Sequence, residues 1–241
     1  MTMNKIVTPS SIKELESTID YTFKNKKIIT KALTHSSYAN EMKHKIPDLE
    51  CNERMEFLGD SILSLIVTDY LYRNHPDMPE GDLSRIRAAT VCEKALGGYA
   101  RNIELGSYLY LSHGENTTNG RNRVSILADA YEALLASMYL DGGIDIVKKF
   151  LLPQVTEEIN NVIKSGSMRD YKTILQQIVQ QEQGEILEYI IVAESGPAHK
   201  RFFEVEARLN SNVIGRGNGY SKREAEQSAA KEALILFGET D

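Results

Sequence analysis

At 241 residues, with 41% apolar and 26% charged residues, the chain can hold one large or two smaller globular domains. No apolar run approaches the roughly 18 residues of a membrane span, and Met1–Val7 lacks the apolar core of a signal peptide, so a cytoplasmic protein with no membrane partner is expected. Net charge is −6, with 19 basic against 22 acidic residues over 1–168 and 9 against 10 over 169–238, which excludes a global positive field and leaves any nucleic-acid contact to local clusters.

In chain order, Ser11-Ile12-Lys13-Glu14 fits a capping box that opens a first helix with Ile12, Leu15 and Ile19 facing inward. Helical patterns continue to about Ile163, broken by turn-rich stretches at Lys45–Asp48, His75–Pro79 and His113–Arg123, and no strand alternation interrupts them. His35 has no second His or Cys at metal spacing and reads as a structural histidine. Cys51 and Cys92 likewise lack metal or redox spacing and read as reduced thiols.

Two stretches of this helical region carry acids in unusual settings. In Asn52–Ser61, Glu56 and Asp60 stand one turn apart, and Asp129 and Glu132 do the same in Leu127–Leu134. Like charges at that spacing destabilise an isolated helix by about 0.2–0.5 kcal/mol per pair. The first helix has an apolar stripe of Met55, Leu58, Ile62 and Leu65, with Glu53, Glu56 and Asp60 opposite; Leu63 and Val67 then extend the acidic side into apolar residues, as in a helix inside a domain. From Ile126 to Leu140, Asp129 and Glu132 are the only charged residues. Burying them without partners costs several kcal/mol or drives protonation. The partner is either a hard divalent cation such as Mg2+, suited to an oxygen-only donor set, or arginine in buried ion pairs through Arg54, Arg85 or Arg87.

Ser165-Gly166-Ser167 has the composition of a linker, and the rhythm changes after it. Asp170 can cap a helix with Ile174, Leu175, Ile178 and Val179 inward. Three strand-like runs follow at Leu187–Ala193, Arg201–Leu209 and Asn212–Gly217, with Asn210-Ser211 as a turn, and a helix from about Ser221 to Phe237 places Ala225, Ala229, Ala233 and Leu236 inward. Ser221-Lys222-Arg223-Glu224 reads as a capping box with two cations in a first turn where the helix dipole disfavours them, so an anion is expected there. The glycines at 215, 217 and 219 would let backbone approach it.

These motifs carry a resemblance. Asn52–Leu63 resembles the signature of the ribonuclease III family, supported by Leu33–Tyr38, Glu80–Arg85 and Ser125–Asp129, and the C-terminal pattern is similar to the double-stranded-RNA-binding domain that the family carries. The fold implied is an all-α endonuclease domain over 8–164, a linker over 165–168 and an α-β-β-β-α domain over 169–238. The resemblance implies that Glu56, Asp60, Asp129 and Glu132 bind metal, that Phe57 inserts into a second subunit of a homodimer, and that Glu53 and Glu80 support assembly or substrate contacts. Packing within its own subunit is the alternative for Phe57. Thr173, Gln176 and Gln177 would face one minor groove of duplex RNA, His199 and Lys200 the next, and Ser221, Lys222 and Arg223 the phosphates between them. Family members often carry Glu where Gln177 stands. Arg121 and Arg123 either hold phosphates near the metal or merely solubilise their loop.

The expected activity is a Mg2+-dependent cut of duplex RNA, with Mn2+ as a substitute and no organic cofactor. Its mechanism is attack by a metal-bound water, leaving 5′-phosphate and 3′-hydroxyl ends in a staggered cut of ribosomal precursors and other structured transcripts. The alternatives are a non-catalytic RNA-binding scaffold and a metal-dependent phosphohydrolase of small substrates, the latter leaving the RNA-binding module without a purpose.

Overall fold

The computed structural model describes residues 10–164, 171–180, 184–197 and 200–238. The chain divides into two compact units, Met1–Met168 and Arg169–Asp241.

The first unit is helical. It comprises α1 (Ile12–Thr18), α2 (Lys26–Ala32), α3 (Ser36–Met42), α4 (Glu53–Asn74), α5 (Glu80–Thr90), α6 (Glu93–Asn102), α7 (His113–Thr117), α8 (Val124–Gly142) and α9 (Ile144–Lys164), with short 3-10 turns at Leu105–Tyr108 and Gly120–Asn122. The Ser11 side chain caps α1 through the Lys13 amide rather than that of Glu14, so one arm of the expected capping box is displaced by a residue. Leu15 and Ile19 are buried while Ile12 is only partly covered. One isolated parallel bridge, Thr34 to Tyr110, lies in this unit.

At its centre stands α8, packed by α2, α4, α6 and α9, and every residue from Ile126 to Met138 is buried except Asp129 and Glu132, which are half-buried. An almost charge-free helix can be enclosed this way because its own turns satisfy its amides.

In α4, the inward stripe is Met55, Gly59, Ile62, Leu63, Ile66, Val67 and Leu71. Leu58 is only half-buried, and Leu65 is 61% exposed, on the outer side with Phe57 at 78% and Tyr72 at 74%. The reading of α4 as a helix enclosed on all sides therefore fails within one chain. The residues that pack on α8 rotate around Gly59, Leu63 and Val67, leaving an apolar stripe of Phe57, Leu65 and Tyr72 uncovered.

The second unit has α10 (Tyr171–Val179), β1 (Leu187–Ser195), β2 (Phe202–Leu209), β3 (Asn212–Gly219) and α11 (Lys222–Leu236). Its sheet is antiparallel in the order β1-β2-β3. The alternation of Phe203, Val205, Ala207 and Leu209 in the β2 sequence turns inward, the first three buried and Leu209 partly so, against Leu175 and Val179 of α10 and Ala225, Ala229, Ala230, Ala233 and Leu234 of α11. Asn210 and Ser211 both have positive φ, at 48° and 72°, as a tight hairpin of matching twist requires.

Two expectations change here. Leu236 is 70% exposed and Leu234 is buried in its place, because the covered face of α11 turns from Ala225 toward Ala233 and Leu234 by the last turn. The glycines of β3 serve the helix rather than a ligand: a Cβ at Gly217 would lie 2.1 Å from the Ala229 nitrogen and one at Gly215 2.3 Å from the Ala229 oxygen. The sheet can seat an alanine-faced helix this closely only because those positions lack side chains. The linker over 165–168 and the Asp170 cap lie outside the described residues.

Candidate active site and nucleic-acid interface

Glu56 and Asp60 flank Gly59 on α4, and Gly59 is where α4 meets α8. A Cβ there would fall 1.9 Å from the Glu132 carbonyl oxygen and 2.4 Å from its carbon. The missing side chain lets the helix backbones touch, and this contact sets the acids of α4 beside those of α8. The start of α4 is fixed from behind by the Asn52 amide, which donates to the Thr34 carbonyl at 2.8 Å and is part of a 3% exposed residue. Glu53 and Glu56 lie in the first turn, where the helix dipole favours negative charge.

Glu132 and Glu56 feel the other acids of the set. Burial pushes the Glu132 carboxyl up to about 8, helped by the charges of Asp60, Glu56 and Asp129. Glu56 is raised by burial and then by Asp129, Glu53 and Asp60. Asp129 is raised by burial and by Glu93, against a lowering influence from His35. Neither His35 nor Glu93 stands out in sequence as belonging to the acidic site. His35 reads there as a structural histidine, and it does cap α3, its Nδ1 accepting from the Ser37 amide at 3.2 Å.

The arginine alternative finds no support among the described residues. Arg85 pairs with Asp82, Arg87 reaches the Thr68 hydroxyl at 3.3 Å, and Arg54 acts on Glu50. No lysine or arginine among those residues forms an ion pair with Glu56, Asp60, Asp129 or Glu132. Clustered, all-oxygen donors without a lysine or arginine partner among the described residues fit a hard divalent cation. No three of the described His, Cys, Asp or Glu side chains are already gathered tightly enough to hold an ion. The fit is therefore to an ion that keeps several waters and takes one or two carboxylates directly.

The two loop arginines differ from each other. Arg121 points inward: its Nη1 donates to the carbonyls of Gly106 and Leu109, each at 2.8 Å, and burial lowers its proton affinity. Arg123 pairs with Glu115 at 2.8 Å. Arg121 braces the loop before α8 from inside, whereas Arg123 stays exposed while pairing with Glu115. Glu53 and Glu80 are exposed; Glu80 accepts from the Ser84 hydroxyl at 2.7 Å and lines a cavity of about 220 Å³ with Thr68, Leu71, Tyr72, Leu83 and Arg87.

In the second unit, Thr173 and Gln177 are exposed and Gln176 is half-buried, one turn of α10 turned away from Leu175 and Val179. Ser221 caps α11 through the Glu224 amide at 3.2 Å, while the Glu224 carboxylate accepts from the Tyr220 amide at 2.7 Å, one residue earlier than a regular capping box. Lys222 and Arg223 are exposed in that first turn. The β1–β2 turn is closed by the Lys200 amide donating to the Pro197 carbonyl at 2.8 Å, and Gly196 has φ of 88°. His199 lies outside the described residues.

Comparison with known proteins is consistent across both units. Residues 25–159 match the family described as Ribonuclease-III-like, and residues 171–236 match the double-stranded RNA binding motif. The chain is 48% identical to a Ribonuclease 3 of Clostridium tetani over 96% of each chain, and 49% identical to a Ribonuclease 3 of Caldanaerobacter subterraneus subsp. tengcongensis over 93% of this chain and 97% of that one. Among solved structures it is similar to the nuclease domain of a ribonuclease III from Campylobacter jejuni, with TM-score 0.56, 36% identity, and coverage of 61% of this chain and 98% of that one. That structure is described for flexibility in a region involved in dimer formation.

Proposed function

We propose, from the premise that the chain belongs to the ribonuclease III family and so is a double-strand-specific endoribonuclease, that Glu56, Asp60, Asp129 and Glu132 form its metal-binding catalytic centre. The observation that supports this is the contact of Gly59 with the Glu132 backbone, which brings the acids of α4 to those of α8 with no lysine or arginine partner among the described residues. Mg2+, with Mn2+ as a substitute, would supply the Lewis acidity that activates a water against the phosphodiester and eases departure of the 3′ oxygen.

The protein's own contribution is placement and charge. Asp60 and Glu132 are the closest candidates for direct ligands, with Glu56 and Asp129 acting directly or through water. Because the Glu132 carboxyl holds its proton up to about pH 8 in the metal-free state, proton and cation compete for the same oxygens. No side-chain nucleophile is required, and the products carry 5′-phosphate and 3′-hydroxyl ends.

The domain reading is a catalytic domain over 8–164, a linker over 165–168 and an RNA-binding domain over 169–238. In the latter, Thr173, Gln176 and Gln177, His199 and Lys200, and Ser221, Lys222 and Arg223 contact successive grooves and phosphates of a duplex. This recognises A-form shape rather than sequence. The uncovered α4 stripe of Phe57, Leu65 and Tyr72, with the cavity beside Tyr72 and Glu80, supports a two-fold homodimer in which Phe57 inserts into the partner and Glu53 and Glu80 flank the contact. Two centres then cut the two strands in a staggered fashion. No described helix is long and apolar enough to cross a membrane. A cytoplasmic enzyme that processes ribosomal precursors and other structured transcripts fits this reading.

The test compares the native protein with Glu132→Gln on duplex RNA in Mg2+, measuring binding and cleavage separately. Retained binding with lost cleavage is expected of the variant. Equal cleavage by both proteins would overturn the acid assignment, and binding without cleavage by either would leave a scaffold.

A further inference from the structure

Four of the eight described cations of the second unit are paired with acids. Lys172 pairs with Glu226 at 2.6 Å, Arg201 with Glu194, and both Arg208 and Arg216 with Glu206 at 2.7 and 3.1 Å. Lys200 and Lys222 do not follow that pattern: among the described residues neither has an acidic partner, and each rests on an aromatic ring instead. The Lys200 ammonium stands 5.9 Å from the centroid of Tyr220, and that of Lys222 stands 5.9 Å from the centroid of Phe203. A ring restrains an ammonium while leaving its N–H donors free for an anion, which a carboxylate does not.

Phe203 is a core residue, but Tyr220 is 60% exposed and contributes nothing to the buried cluster. Its ring and its backbone are nonetheless each held. The edge of Phe202 meets it at 5.4 Å and 70°, and its backbone amide is tied to Glu224 at the start of α11. Tyr220 therefore joins two separate pieces of chain: the β1–β2 turn, through Lys200, and the first turn of α11, through Glu224.

We propose that Tyr220 is a positioning residue for duplex binding, its Phe202-braced ring holding the Lys200 ammonium at a fixed distance from Lys222 and Arg223 so that the three cations meet the RNA backbone as one set. This rests on the reading that this face of the unit binds duplex RNA. Holding a long, rotamer-rich side chain in place before binding lowers the ordering cost at the moment of contact. Loss of the ring should therefore weaken affinity without removing a phosphate contact, whereas loss of Lys200 should do both.

The test is a double-mutant cycle on the full-length protein, with affinity for a blunt duplex of about 20 base pairs, longer than the roughly 16 that such a domain spans, measured in metal-free buffer. Tyr220→Leu is expected to weaken binding about two- to fivefold at an unchanged salt dependence. Tyr220→Phe should bind like the native protein. Lys200→Ala should weaken binding and lower the salt slope by about one unit. The Lys200→Ala/Tyr220→Leu double variant should be no weaker than Lys200→Ala alone. In Mg2+ the Tyr220→Leu loss should fall on KM and leave kcat unchanged. Additive losses, a defect in Tyr220→Phe equal to that in Tyr220→Leu, or no loss in Tyr220→Leu would each overturn the proposal. If Lys200→Ala is silent while a Lys222→Ala/Arg223→Ala variant is weakened, the positioning role alone fails; if that variant also binds normally, the RNA-binding face itself is misassigned.

Discussion

Gly59→Ala is the substitution that most directly tests how the acids are assembled. A methyl at this position would meet the Glu132 oxygen at 1.9 Å, its carbonyl carbon at 2.4 Å and its Cα at 2.9 Å. All three atoms are backbone, so no side-chain rotation relieves the clash. Restoring ordinary contact near 3.4 Å requires α4 and α8 to part by roughly 1.5 Å. Overpacking of this kind costs typically about 1–3 kcal/mol, and the higher helix propensity of Ala returns about 1 kcal/mol, leaving a net loss of up to about 2 kcal/mol. For a protein of this size that lowers Tm by up to about 8 °C. The effect on chemistry should be larger, since a displacement of about 1 Å at a reacting centre costs about a hundredfold in rate. Calorimetry and single-turnover cleavage of duplex RNA in Mg2+ measure the two quantities, with metal-free duplex binding expected to remain native. The control is Gly98→Ala, inside α6, where nothing lies within 4 Å of the added Cβ and a gain of about 0.5–1 kcal/mol is expected. A Gly59→Ala enzyme with native Tm and native kcat would refute the idea that backbone contact at this glycine sets the acid spacing.

Four further outcomes follow from the same geometry. Arg121→Ala removes the donor to two carbonyls, each costing about 1–3 kcal/mol if left unpaired, so Tm should fall by several degrees while duplex affinity in metal-free buffer stays unchanged; loss of affinity without loss of Tm would restore a phosphate-binding role. Phe57→Asp on the exposed α4 stripe should yield a monomer by sedimentation, whereas an unchanged mass would remove Phe57 from the proposed interface. The raised Glu132 carboxyl binds its proton more tightly in the folded than in the unfolded chain, so its contribution to metal-free stability is fully present below the unfolded carboxylate range and lost as pH rises toward about 8. Stabilisation by added Mg2+, followed by thermal shift, should accordingly grow between pH 6 and pH 8, and calorimetry in buffers of different ionisation enthalpy should detect proton release on binding; neither effect is expected in Glu132→Gln.

What the sequence disclosed and what it concealed divide along a physical line. The helical and α-β-β-β-α regions were legible because their periodicity is local: Phe203, Val205 and Ala207 alternate, and Ala225, Ala229 and Ala233 recur at helical spacing, so the covered face is written in each element alone. Leu236 departs from that rule because the covered face of α11 has moved to Ala233 and Leu234 by the last turn. Leu65 was misjudged for a related reason, since stripe positions on an amphipathic α4 depend on where its partner crosses. That crossing is set by Gly59, a residue with no hydrophobic signal at all. The glycines at 215 and 217 are conspicuous in the sequence, but their spacing is the same for approach of a ligand and approach of a helix.

The acidic residues show why chemistry was easier to find than its setting. Charges in a nearly charge-free helix are conspicuous from sequence, because the cost of burying them is large and must be met by something. The influence of Glu93 and His35 on Asp129 has no such signature: each lies on an otherwise ordinary helix start and acts only through space. Arg121 makes the same point in reverse. An arginine beside a presumed phosphate site invites an electrostatic role, yet its Nη1 hydrogen bonds to the Gly106 and Leu109 carbonyls turn the charge inward. Cations can be assigned to RNA only after those already spent within the fold have been subtracted. Among the described cations of the second unit, Lys200 and Lys222 rest on aromatic rings with no acidic partner, and Arg223 is exposed in the same first turn of α11 as Lys222.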